Sequence, residues 1–94
     1  MKLSQEQIEE RLSTITDWEM NEQGEIEKTF HFNSYIDGIH FSTEIGHFAE
    51  RHNHHPELCV LYKKVVIKMK SHDEDGLTER DFSLAHAIER QYSF

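Results

Sequence analysis

Four histidines of this chain fall where regular elements should end. His52, His54 and His55 crowd the end of a helical stretch that Pro56 must stop, and His72 follows a later apolar run. An unperturbed imidazole titrates near ~6.5, so close to neutral pH it can both give and accept a proton. Two or three such rings around one pocket can run an elimination, in which one group protonates the leaving atom and another removes a proton elsewhere. Two other readings begin from the same residues. His54, His55 and His72, with Glu50 or Asp73, are residue types that bind zinc, but adjacent histidines diverge and no HExxH or CxxC spacing supports them. Histidines in a last helical turn can also simply answer the partial negative charge of the helix C-terminus. His31, His40, His47, His52 and His86 are assigned to such surface or helix-face positions. Glu50 lies four residues before His54, so on one helix the two share a face and the carboxylate could orient the ring. No Ser–His–Asp arrangement, P-loop or GxGxxG motif offers a competing chemistry.

The elements that must position these groups follow from local patterns. Ser4 with Gln7 has the form of a capping box, and Ile8, Leu12 and Ile15 recur at helical spacing, which predicts a first helix of roughly ten residues. Trp18 and Met20 suit a short strand, and Asn21 to Gly24 a turn. Ile26, Phe30 and Phe32 then alternate with polar residues as a half-buried strand, whose apolar face Lys28 breaks, a position expected near the strand's edge. Asn33 or Ser34 can cap a second helix with the stripe Tyr35, Ile36, Ile39, Ile45, Phe48 and Ala49. Gly38 and Gly46 within it suggest close packing or simple tolerance. Pro56 has no N–H to donate and pushes His55 towards extended geometry. Leu58 to Tyr62 and Val65 to Met69 read as a hairpin joined at Lys63-Lys64, followed by a polar loop from Ser71 to Gly76. Thr78 with Asp81 resembles the cap of a last helix that buries Leu84, Ala85, Ile88 and Tyr92. The expected fold is α+β, in the order α-β-β-α-β-β-α, with a four-stranded antiparallel sheet and the helices on one face. Residues 1–94 are expected to form a single domain.

Composition narrows the function. The formal net charge is −8 with histidines neutral, which repels phosphate backbones and argues against direct nucleic-acid binding. Lys63, Lys64, Lys68 and Lys70 are the only basic cluster and read as a solvated face. The single cysteine, Cys59, sits in an apolar run and is expected to be a small buried hydrophobe. No stretch approaches the ~20 apolar residues needed to span a bilayer, and Met1 to Arg11 carries no apolar core of signal-peptide length. A cytoplasmic location without membrane contact is the expectation.

The segment Ala49-Glu50-Arg51-His52-Asn53-His54-His55-Pro56-Glu57 resembles the helix-end signature of the pterin-4a-carbinolamine dehydratases. Tyr62, Ser71-His72, Gly76-Leu77-Thr78-Glu79-Arg80-Asp81, Leu84-Ala85 and Ile88 follow at that family's spacing. Upstream, Trp18 and Phe30-His31-Phe32 also fit, so the similarity runs from Trp18 onwards. The resemblance implies loss of water from 4a-hydroxytetrahydropterin to give quinonoid dihydropterin, in support of tetrahydrobiopterin recycling. It implies His54 and His72 as the acid–base pair and His55 as the group that holds the pterin. Asn53, Lys70, Ser71 and Asp73 match positions lining the family's pterin site, and Glu50 could meet the pterin's amino-pyrimidinone edge. No metal and no cofactor is expected, because acid–base catalysis can suffice for a carbinolamine that already tends to collapse. Asp81 recurs in the family, but its place three residues after Thr78 is read first as capping.

Asn53 stands where an aspartate is common, and Asp73 where a glutamate is common. Leu58-Cys59-Val60 replaces a more aromatic and polar stretch of some members. The family's members assemble as homodimers or homotetramers through sheet edges and helices, which suits a small domain with edge strands to cover. Some animal relatives also stabilise dimers of a homeodomain transcription factor, so a partner-binding role is the main rival. A related role in molybdopterin metabolism is the second.

Overall fold

The computed structural model describes residues 1–92. Helix α1 (Gln5–Leu12) leads into β1 (Glu19–Met20) and β2 (Ile26–His31), then α2 (Tyr35–His52), β3 (Glu57–Leu61), β4 (Lys64–Met69), a 3₁₀ turn at His72–Glu74 and α3 (Glu79–Tyr92). This is the expected α-β-β-α-β-β-α order. The strands form one antiparallel sheet in the order β1-β2-β4-β3, so the two hairpins meet where β2 pairs with β4.

Local chemistry explains the helix ends. Ser4 Oγ accepts the Gln7 N–H at 3.2 Å while the Gln7 side chain accepts the Ser4 N–H at 2.8 Å, the reciprocal cap read from the sequence. Helix α1 is shorter than expected, with 8 residues. Ile15 lies beyond it and still reaches the core, because a tight turn returns the chain through Thr14 N–H to Arg11 and Ile15 N–H to Leu12. Ser34 caps α2 by accepting the Asp37 N–H. The helix stops at Asn53, a residue in the left-handed region at φ 49°, ψ 42°, which asparagine tolerates better than most side chains.

Only one face of the sheet meets the helices. Ile26, Phe30, Val65, Ile67 and Met69 are buried on it, and Leu58 and Val60 pack at its margin. Helix α2 buries Gly38, Phe41, Ile45 and Ala49 against this face. A Cβ at Gly38 would lie 3.3 Å from Val65 Cγ2, so the missing side chain lets the helix lie close on β4. That line of contact corrects the expected stripe: Tyr35 and Ile36, at 51% and 53% exposure, stay outside it.

Lys28 is also corrected. It lies within β2 rather than near the strand's edge, and its ammonium is held 2.7 Å from Glu89 of α3. The Trp18 indole N–H donates to the same carboxylate at 3.1 Å, and the Lys28 ammonium stands over the Phe30 ring. A charge on the apolar face is thus compensated by a partner from another element. Cys59 proves exposed rather than buried. Leu58 and Val60 take the inner face of β3, and period two turns Cys59 outwards. Among the described residues, no helix is long and apolar enough to cross a membrane.

Candidate active site

The turn between α2 and β3 splits its two histidines. Asn53 ends the helix in a left-handed conformation, and the His54 N–H then returns to the Ala49 carbonyl at 3.1 Å. His54 is thereby carried inward to 8% exposure, while His55 faces solvent. The two rings diverge, as adjacency suggested they would.

Asp81, in the first turn of α3, is the partner that meets His54. It is fully buried, and its Oδ1 lies 2.6 Å from His54 Nε2. Its Oδ2 accepts the Ser71 hydroxyl and the Thr78 N–H, each at 2.9 Å. Ser71 and Thr78 contact one another at 2.7 Å through their hydroxyls. The carboxyl already accepts two donors at Oδ2 and acts as an acceptor throughout, so the short contact is a His54 N–H donated to Oδ1. That leaves Nδ1 as the nitrogen open to a reaction partner. Among the described residues, no buried side-chain nitrogen or oxygen lacks a partner.

The same carboxylate ties in His72. Ser71 directly precedes His72, and the Ser71–Gly76 bridge closes the loop in which the His72–Glu74 turn lies. His72 is exposed on that turn. The segments carrying His54 and His72 are therefore connected through Asp81 and Ser71, although 17 residues of chain and a hairpin lie between them.

Glu50 does not orient His54. Its Oε2 lies 2.6 Å from His55 Nε2, because the helix ends before His54 can occupy the i+4 position. Asp73 pairs with Arg80 at 2.6 Å. The hydrogen bond from Arg80 holds the Asp73 carboxyl below the ordinary carboxylate range, and Asp73 in turn raises the Arg80 guanidinium. Lys70, at the end of β4, reaches Asp75 at 3.4 Å. Asn53 is exposed at the helix end. Among the described residues, no three histidine, cysteine or acidic side chains converge as ligands for one metal ion.

Two cavities flank α2. One of about 420 Å³ has an apolar floor of Ile45, Ala49, Pro56 and Leu58, with Glu50 and His55 at its rim. The larger, of about 690 Å³, is lined by His31, Phe32, His40, Phe41 and Tyr92 among others and contains none of the predicted site residues. Size alone does not locate the candidate site; the buried carboxylate that joins two histidine-bearing segments does. Sequence reading missed the grip of Asp81 on His54, since a capping role already accounted for the aspartate. The available signal was the spacing of Ser71, Thr78 and Asp81, three short polar residues flanking one turn.

An imidazole backed by a buried carboxylate, with a second imidazole on the exposed turn that follows Ser71, is an arrangement suited to proton transfer. The chain belongs to the pterin 4 alpha carbinolamine dehydratase family, whose profile matches residues 1–91. A Sulfolobus acidocaldarius protein provisionally named as a pterin-4-alpha-carbinolamine dehydratase is 39% identical over 90 residues, covering 96% of this chain and 98% of its own. A Chloroflexus aggregans protein with the same provisional name is 39% identical over 88 residues, covering 94% of each chain. Among solved structures, a transcriptional coactivator/pterin dehydratase from Brucella melitensis superposes with a TM-score of 0.89 at 25% identity, covering 96% of this chain and 97% of that one. A pterin dehydratase-like protein described as a RuBisCO assembly factor in the alpha-carboxysome shares the fold, with a TM-score of 0.65 at 18% identity over 79% of this chain and 87% of that one.

Proposed function

We propose that the protein, as a single domain over residues 1–94, dehydrates 4a-hydroxytetrahydropterin to quinonoid dihydropterin by histidine acid–base catalysis. The observation that carries this reading is the Asp81 carboxylate, bound at once to His54 and to Ser71 beside His72. The C4a–O bond breaks as the hydroxyl takes a proton and leaves as water, the N5 lone pair forms the C4a=N5 bond, and the N5 proton departs. His54 and His72 exchange these two protons with the substrate, and His55 holds the pterin. Glu50, Asn53, Lys70 and Asp73 belong to the surrounding binding region, with Ser71 buried behind it, and the apolar cavity beside His55 offers a floor for a flat heterocycle. The product would feed tetrahydrobiopterin recycling in the cytoplasm.

The same reading takes the chain as a homodimer or homotetramer. Strand β3 is one of the two outer strands of the sheet, and Leu61 and Tyr62 at its end are 39% and 73% exposed, which supports cover by a second copy. The coactivator description of the Brucella melitensis structure favours a second reading, a protein-binding role. The two separate in one experiment. Enzymatically generated 4a-hydroxytetrahydropterin is mixed with wild type or with the His54→Ala/His72→Ala double variant, and dehydration is followed by ultraviolet absorbance. Wild type accelerates the reaction and the double variant does not. No acceleration by folded wild type overturns the enzyme reading and leaves the binding role.

A further inference from the structure

We infer that Ser71 and Thr78 are positioning residues: their hydroxyls form a one-way chain of hydrogen bonds that holds the Asp81 carboxylate and thereby fixes His54 with its proton on Nε2. The inference rests on the proposed dehydration for its kinetic consequence, but not for its structural one.

The direction of the chain follows from counting protons. Ser71 has one hydroxyl proton, and it is donated to Asp81 Oδ2 at 2.9 Å. The 2.7 Å contact between Ser71 and Thr78 must then use the Thr78 proton, with Ser71 Oγ accepting. Thr78 Oγ1 in turn accepts the Arg80 N–H at 3.2 Å. Polarity therefore runs from the Arg80 amide through Thr78 and Ser71 to Asp81, with the Thr78 N–H and the His54 ring also donating to that carboxylate. Running the hydroxyls the other way would leave the Thr78 proton without an acceptor in the network. Each of the three short polar side chains is nearly or wholly buried: Ser71 is 1%, Thr78 4% and Asp81 0% exposed. Water has little room to replace any of them, so loss of one hydroxyl is felt by the next.

Ser71 thus acts through Asp81 rather than by touching the pterin. With its hydroxyl present, Asp81 presents a fully occupied Oδ2 and a free Oδ1, which accepts only from an imidazole N–H. The ring is held in one tautomer, and Nδ1 is the atom turned over to chemistry. With the hydroxyl removed, Oδ2 keeps the Thr78 N–H alone, the carboxylate can turn, and His54 is free to exchange tautomers.

Two readouts test this together. In ¹⁵N-labelled protein, the His54 ring of wild type shows a protonated Nε2 and an unprotonated Nδ1, and Ser71→Ala gives a mixture of tautomers. In dehydration kinetics, Ser71→Ala lowers kcat by about tenfold, the scale set by one hydrogen bond to a charged group, and leaves KM within about twofold. Thr78→Val lowers kcat by roughly threefold through the weakened chain, and Thr78→Ser, which keeps the hydroxyl, restores it. A folded Ser71→Ala protein with the wild-type His54 spectrum and wild-type kcat overturns the inference. Should Ser71→Ala not fold, the Thr78→Val and Thr78→Ser pair decides, and equal behaviour of those two overturns it. If wild type proves inactive on the pterin, the dehydratase reading fails, while the tautomer measurement still judges the hydroxyl chain.

Discussion

His54 Nε2 and Asp81 Oδ1 lie 2.6 Å apart although the two residues are 27 positions apart in the chain. The aspartate has two tasks at once, because its other oxygen accepts the Thr78 N–H at the start of α3. One side chain therefore anchors a helix and orients a candidate catalytic ring.

The two tasks can be separated by Asp81→Asn. The amide oxygen can still accept the Thr78 N–H, so the cap is largely kept and the melting temperature should fall by only a few degrees, on the order of 1 kcal/mol. The ring, however, now faces a neutral amide that no longer selects its protonated Nε2. We expect kcat to fall about 10²-fold or more, within the range that acid–base groups contribute. Parallel melting curves and steady-state dehydration check this. Proportionate losses in both would reduce Asp81 to a helix cap.

Helix α2 supplies a stability test that leaves the histidines alone. An added Cβ at Gly46 meets nothing within 4 Å, whereas one at Gly38 comes within 3.3 Å of Val65 Cγ2. Gly46→Ala should stabilise by about 0.5–1 kcal/mol, raising the melting temperature by roughly 2–8 °C. Gly38→Ala carries the same gain in helix propensity but must push Val65 aside in a close-packed core, so its melting temperature should stay below that of Gly46→Ala. Thermal denaturation of the two variants side by side tests the difference, and equal stabilisation would show that the contact at Gly38 yields freely.

The Asp73–Arg80 pair ties the His72 turn to α3 and has a defined pH signature. Arg80 lowers the Asp73 carboxyl below its ordinary value, first through their hydrogen bond. A carboxyl depressed in the folded state stabilises above its unfolded pKa, near ~4, and that contribution is lost as pH falls through the lower folded value. The tie should therefore persist at neutral pH and weaken only in acid. Arg80→Gln should move the Asp73 titration, followed by carboxyl ¹³C shifts, back up towards the ordinary range. Both side chains are well exposed, at 64% for Asp73 and 44% for Arg80, so the neutral-pH melting temperature should hardly change. An Asp73 titration untouched by Arg80→Gln would refute the pairing in solution.

What the amino-acid order determined by itself was local. Caps at Ser4, Ser34 and Thr78, period two through Ile26 and Phe30, and the break at Pro56 each depend on neighbours a few residues away, so the element order and the α+β class were legible. The crowding of His54 and His55 before Pro56, with His72 ending the later hairpin, marked the candidate site for the same reason. Spacing could not say which side chains meet across elements. Tertiary structure decided that Lys28 pairs with Glu89 of α3 from within β2, and that Cys59 faces outwards from β3. It also gave Glu50 to His55 and Asp81 to His54, because a left-handed Asn53 turned the chain before the helical repeat could align Glu50 with His54. Helix and strand periods are set by neighbouring residues, whereas the partner of a buried charge is set by how whole elements pack.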